Sequence, residues 1–110
     1  MLKIEDFLSV GYREYPINHF KTEAKCLLQK TVRDRNDPDI KRYFINVYVY
    51  DLSRFSPELG MSFCPGVTFF TEDHRQVDVE YHDFKDIESL ESFYENMYSY
   101  LGSVPDIHNN

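Results

Sequence analysis

Tryptophan is absent from this chain, and its 110 residues hold only two cysteines, four glycines and five prolines. Each scarcity excludes something. No glycine pair forms a G-x-G or phosphate-loop pattern, so a glycine cradle for a nucleotide is ruled out. Two cysteines (Cys26 and Cys64) are too few for a disulfide scaffold, and no Cys-x-x-Cys pair offers a zinc site. No run approaches the roughly 18 apolar residues of a membrane span. The opening Met1-Leu2-Lys3-Ile4-Glu5-Asp6-Phe7 sets two acids where a signal peptide needs an apolar run. A cytoplasmic location is therefore expected, with both cysteines reduced and buried. Bases are the last scarcity. Residues 71–110 carry ten acids but only two bases, Arg75 and Lys85, a net of −8. Residues 1–70 carry nine acids and ten bases, so the whole chain stands at −7. That field repels nucleic acid and anionic membrane and attracts basic protein surfaces.

Aromatic residues are plentiful, with nine Phe and nine Tyr. Tyrosine suits half-buried sheet surfaces and interfaces. The length fits one domain over residues 1–110, large enough to bury about 60–70% of its unfolded surface without metal or disulfide. Ile4, Phe7 and Leu8 have helical spacing, and Gly11 can end a short helix over Lys3–Val10. Residues 12–22 read as irregular, with Pro16 as the breaker. Ala24–Arg33 reads as a strand, and Asp34–Asp39 (DRNDPD) as a turn. Lys41–Asp51 (KRYFINVYVYD) is β-branched and aromatic without Gly or Pro, the clearest strand. Ser62–Thr71 is a third strand, where Pro65-Gly66 implies an edge or a bulge. A hairpin turn at 72–75 leads to a fourth strand, Gln76–His82. Asp86–Leu101 is the longest helix. Asp86 is its N-cap, Glu88 sits in its first turn, and Gly102 and Pro105 end it. Ile87, Leu90, Phe93, Tyr94, Met97, Tyr98 and Leu101 form its apolar stripe. The expected fold is α+β: a four-stranded antiparallel meander, with a short N-terminal helix and the long C-terminal helix packed on one face.

Alternation then sorts the strand residues. Tyr43, Ile45, Val47 and Val49 share one face with Val77, Val79 and Tyr81, under the long helix. Phe44, Asn46, Tyr48 and Tyr50 share the other face with Asp78, Glu80 and His82, and Phe70 joins them. An exposed face of rings and acids is a candidate partner-binding surface. The competing expectation is that residues 12–23 fold over it, since Tyr12, Tyr15, Ile17 and Phe20 need somewhere to pack. Asp78, Glu80 and His82 have the spacing of a metal-binding strand face, but an ordinary solvated strand reads the same way, and no metal or cofactor is expected. A Cys–His nucleophile pair has no supporting signature, and no catalytic residues are expected. Glu88, Glu91 or Ser92, Glu95 and Ser99 line the back of the final helix; three carboxylates there make a ridge able to meet a basic groove. Lys25, Lys30, Arg33, Arg35, Lys41 and Arg42 gather around the first hairpin, where Asp34, Asp37 and Asp39 are expected to balance them.

The opening MLKIEDFLSVGY, the strand KRYFINVYVYD and the closing helix DIESLESFYENMYSYLG resemble, in size, acidity and layout, small orphan proteins of bacteriophages and mobile elements. The resemblance implies an accessory role in the host cytoplasm, such as inhibition of a host defence nuclease by mimicry of nucleic-acid charge. It carries no functional residue across. The expected function is a non-catalytic protein-binding module acting through Phe44, Tyr48, Tyr50, Asp78, Glu80, His82, Glu88, Glu91 and Glu95. The alternatives are a homo-oligomer joined through the aromatic sheet face, and a small metal-binding protein or enzyme.

Overall fold

The computed structural model describes residues 2–17, 24–70, 76–80 and 83–103, with backbone alone at 80 and 101–103. A helix α1 (Ile4–Leu8) precedes strands β1 (Arg13–Pro16), β2 (Cys26–Arg33) and β3 (Lys41–Asp51). A short 3-10 turn, β4 (Met61–Phe70), β5 (Gln76–Glu80) and helix α2 (Ile87–Ser103) follow. The strands form one antiparallel sheet in the order β1-β2-β3-β4-β5, so position in the sheet follows position in the chain.

The sheet has five strands, not four. The extra one is β1, in the stretch expected to be irregular. Pro16 does not prevent it, because it is the last residue of an edge strand, where a missing N–H is tolerated. Pro65 corrects a second expectation. β4 is an interior strand and keeps an unbroken register with β3 across Val47↔Pro65 and Asn46↔Gly66. The described pairing with β5 reaches Gly66↔Glu80, one residue short of Pro65. The Asp34–Asp39 turn forms through its own side chains: Asp34 Oδ1 accepts from the amides of Asn36 and Asp37, at 2.8 and 3.1 Å.

Alternation places the core as the sequence implies in β3, whereas Val77 of β5, expected under the long helix, is about two-fifths exposed. Tyr43, Ile45, Val47 and Val49 are buried, together with Leu28, Val67 and Phe69 from the flanking strands. α2 lays Ile87, Leu90 and Tyr94 onto them, with Met97 and Tyr98 at the margin. Each fully buried side chain of this kind contributes about 1.5–3 kcal/mol. Phe93 is not part of the buried stripe; it is more than a third exposed. The amide of Ser89 donates to Asp86 Oδ1 at 2.7 Å, the expected N-cap. α1 packs on the same side of the sheet: Phe7 stacks on Phe63 and meets Tyr12 edge-on, both at 5.2 Å between centroids. Tyr12 is therefore core and covers nothing on the opposite face. Residues 18–23, the turn at 72–75, Tyr81, His82 and the tail from 104 lie outside the described residues.

Candidate functional site: the two faces of the sheet

The predicted partner-binding residues do not form one surface. Phe44, Tyr48, Tyr50 and Asp78 belong to the outer face of the sheet, whereas Glu88, Glu91 and Glu95 are on α2, across the sheet from them. Glu80 holds the register position opposite Gly66. Its side chain and His82 lie outside the described residues, so the Asp78–Glu80–His82 triplet cannot be assembled. Among the described residues, no three His, Cys, Asp or Glu side chains are grouped as metal ligands.

Two of the three helix acids do not line the back of α2. Glu91 turns toward β2, where Lys30 Nζ reaches Oε2 at 2.6 Å and the Tyr12 hydroxyl donates to the same oxygen at 3.2 Å. Glu95 takes the Tyr43 hydroxyl at 2.8 Å on Oε2 and Arg42 Nη1 at 3.2 Å on Oε1. The second grouping depends on a local irregularity. Val32 pairs with Tyr43 but Arg33 pairs with Lys41, so Arg42 is an extra residue in β3. Such a bulge re-aims a side chain that alternation would send to the far face. Arg42 thus joins Tyr43 on the helix side, and its guanidinium lies 4.1 Å from the Tyr98 ring centroid. Burial, then the neighbouring glutamate, pushes the Tyr12 hydroxyl well above the usual phenol range. Tyr43 is raised by burial and by its hydrogen bond to Glu95. Glu91 and Glu95 therefore act as ties between layers, and Glu88 is the exposed acid of the three. The sequence held one signal for this. Lys30 shares parity with Cys26, Leu28 and Val32, and a lysine in line with core residues needs an acid on whatever covers them.

The outer face is built differently. Side chains link across four strands: Gln29 Nε2 donates to Asn46 Oδ1 at 2.8 Å, Asn46 Nδ2 to Thr68 Oγ1 at 3.1 Å, and Thr68 Oγ1 to Asp78 Oδ1 at 2.9 Å. Gln76 Nε2 adds a further donor to Asp78 at 3.2 Å. Gln29, Asn46 and Thr68 did not stand out as site residues in the sequence, because one polar residue on a strand face is unremarkable until the register aligns several. Aromatic residues flank this polar row. Phe44 and Phe70 meet edge-on at 5.0 Å, with Lys41 Nζ 5.7 Å from the Phe44 centroid. On the other side Tyr48 lies in the row of Leu27, Tyr15 and Cys64. Tyr15 and Tyr48 are about two-fifths exposed, Phe70 slightly less and Tyr50 half-buried. Among the described residues, no helix packs against this face; both helices are on the opposite one.

The cysteines divide between the faces. Cys26 is buried, and burial followed by Glu14 pushes its thiol up to about 11. Cys64 is half-buried on the outer face rather than buried as expected. Both are free, and facing opposite ways from strands that are not neighbours, they cannot bridge.

Set against known protein families, curated proteins and solved structures, the chain matches none.

Proposed function

We propose that this chain is a non-catalytic protein-binding module whose contact surface is the outer face of its sheet, and that it binds a different protein with a basic rim to its own site. The observation that supports this reading most is the polar row Gln29–Asn46–Thr68–Asp78 between two exposed aromatic groups. Polar groups already bonded to one another lose little when a partner excludes water, whereas unpaired ones would cost about 1–3 kcal/mol each. The rings supply the apolar area and the anchoring side chains common at interface centres. Acids on β5 beside this face, with the net charge of −7, favour a basic partner and speed encounter. The narrower reading, inhibition of a host nucleic-acid-handling protein by charge mimicry, draws on that net charge; the ties of Glu91 and Glu95 to Lys30 and Arg42 remove two acids from the proposed ridge.

The test is affinity capture from the source cell with a salt gradient, run with wild type, Tyr48→Ala and Glu88→Lys. A heterologous protein that binds wild type and Glu88→Lys but is lost with Tyr48→Ala supports the sheet face. A protein lost only with Glu88→Lys would move the site to the helix and overturn the reading.

A further inference from the structure

The two edges of the sheet differ in both charge and completeness. β1 pairs only with Cys26–Gln29, and Gly11 and Tyr12 lie beside Lys30, so Thr31–Arg33 of β2 run on with no described strand partner on that side. Three residues of open strand, about 10 Å, offer backbone groups that can accept another strand. Arg33 and Arg35 are exposed beside this edge. Below it, a groove of about 460 Å³ between β2 and α2 has Val32, Tyr43 and Ile45 among its lining residues, with the charged side chains of Arg33, Arg35 and Glu88 around them. At the far side of the sheet β5 reads QVDVE, five residues whose outer side has no described partner. Asp78 is exposed there, and Val77 is about two-fifths exposed.

We propose that β5 of one copy adds to the free β2 edge of the next, so that the protein associates head to tail through its sheet. Three observations converge on this pairing. The first is direction. β5 is three antiparallel steps from β2, so it already runs opposite to β2, and a copy carried sideways without turning over presents β5 antiparallel to the β2 edge. The second is facing. Val32, Tyr43, Phe69 and Val77 share one row of the sheet, so the same displacement brings the partner's Val77 and Val79 to the groove side. The third is charge. Pairing β2 with β2 about Arg33 would set that base against its own copy, and pairing β5 with β5 would set the acids of Asp78 and Glu80 against acids; like charges directly opposite are destabilising. Only β5 on β2 joins acids to bases. A contact between two different surfaces does not close at a dimer, because each added copy leaves one edge of each kind open. The outer faces stay aligned, so the exposed rings of the binding surface proposed above remain free, and Asp78 is shared between the two contacts.

The test is sedimentation of the full chain over a concentration series at low and high salt, with amide shifts followed on dilution. The expected result is a mean mass that climbs past the dimer with concentration at low salt and returns to the monomer's 13.2 kDa at high salt. Dilution shifts should gather at Thr31–Arg33 and Gln76–Glu80. Arg33→Glu with Arg35→Glu, and separately Asp78→Lys with Glu80→Lys, should each give monomers, and mixing the two variants should restore growth. Tyr48→Ala should leave it unchanged. A wild type that stays monomeric means that the bases only guard an edge, and overturns the proposal. So does a closed, salt-insensitive dimer, or dilution shifts centred on Phe44 and Tyr48.

Discussion

The two faces of this sheet carry polar networks of similar extent, made to opposite ends. On the helix side two carboxylates one turn apart, Glu91 and Glu95, gather Tyr12, Lys30, Arg42 and Tyr43, and the network joins two layers. On the outer side neutral amides and a hydroxyl pass hydrogen bonds from strand to strand, ending on Asp78, and among the described residues they join nothing beyond the sheet. The first network sits over a buried core and bears on stability. The second sits among exposed rings and bears on what the surface can meet. Counted by sequence, acids in residues 71–110 look like one reservoir of negative charge. Among the described residues they divide into internal ties and surface charges, and only the latter can reach a partner.

The sharpest way to break this contrast is to truncate one apolar residue on each face. Leu90→Ala removes a fully buried side chain and should cost about 2–5 kcal/mol in urea unfolding. Tyr48→Ala, on the exposed face, should cost at most about 1 kcal/mol. If Tyr48→Ala matched Leu90→Ala, the outer face would be a second core. A smaller difference is expected between the networks. Glu95→Ala strands the Tyr43 hydroxyl and an Arg42 side chain only 17% exposed, and should cost about 1–3 kcal/mol. Asn46→Ala interrupts the outer row but leaves the bond from Thr68 to Asp78 in place, and should cost about 0.5–1.5 kcal/mol. Equal costs would mean that the outer row also holds the fold.

The smallest effect is one of pH. Tyr12 and Tyr43 keep their protons in the fold above the value of about 10 at which an unfolded phenol ionises. Above that pH the native chain binds more protons than the unfolded one, so their contribution is fully present below about 10 and declines as pH rises further. Absorbance of the phenolates, followed with circular dichroism, should show at least two of the nine tyrosines titrating only as the fold is lost. Smooth titration of all nine with the dichroism intact would place both hydroxyls in contact with water.

Much of this arrangement was legible in the residues. KRYFINVYVYD forms a strand with the bounds its composition suggests, because eleven residues without Gly or Pro leave no competing turn. Alternation in that strand placed its buried face, and the Ile87–Leu90–Tyr94 spacing placed the helix over it. What stayed hidden depends on pairing rather than pattern. β1 is not legible in the residues, because Pro16 is tolerated only at an edge and the edge is set by pairing. The ties of Glu95 need the bulge at Arg42, which exists only in the register between β2 and β3. The Gln29–Asn46–Thr68–Asp78 row is hidden for the same reason: each member is ordinary alone, and only alignment of four strands makes them a row.

The simple order of the sheet has a consequence for assembly in time. Each strand joins one that is next to it in the chain, so the sheet can grow hairpin by hairpin, each step closing only a short loop. α2 is the exception: its bonds to Tyr12, Lys30 and Arg42 span 79, 61 and 53 residues. Helix docking is thus the long closure in an otherwise local fold, and the carboxylates at its face act as a latch on a sheet that can form without them.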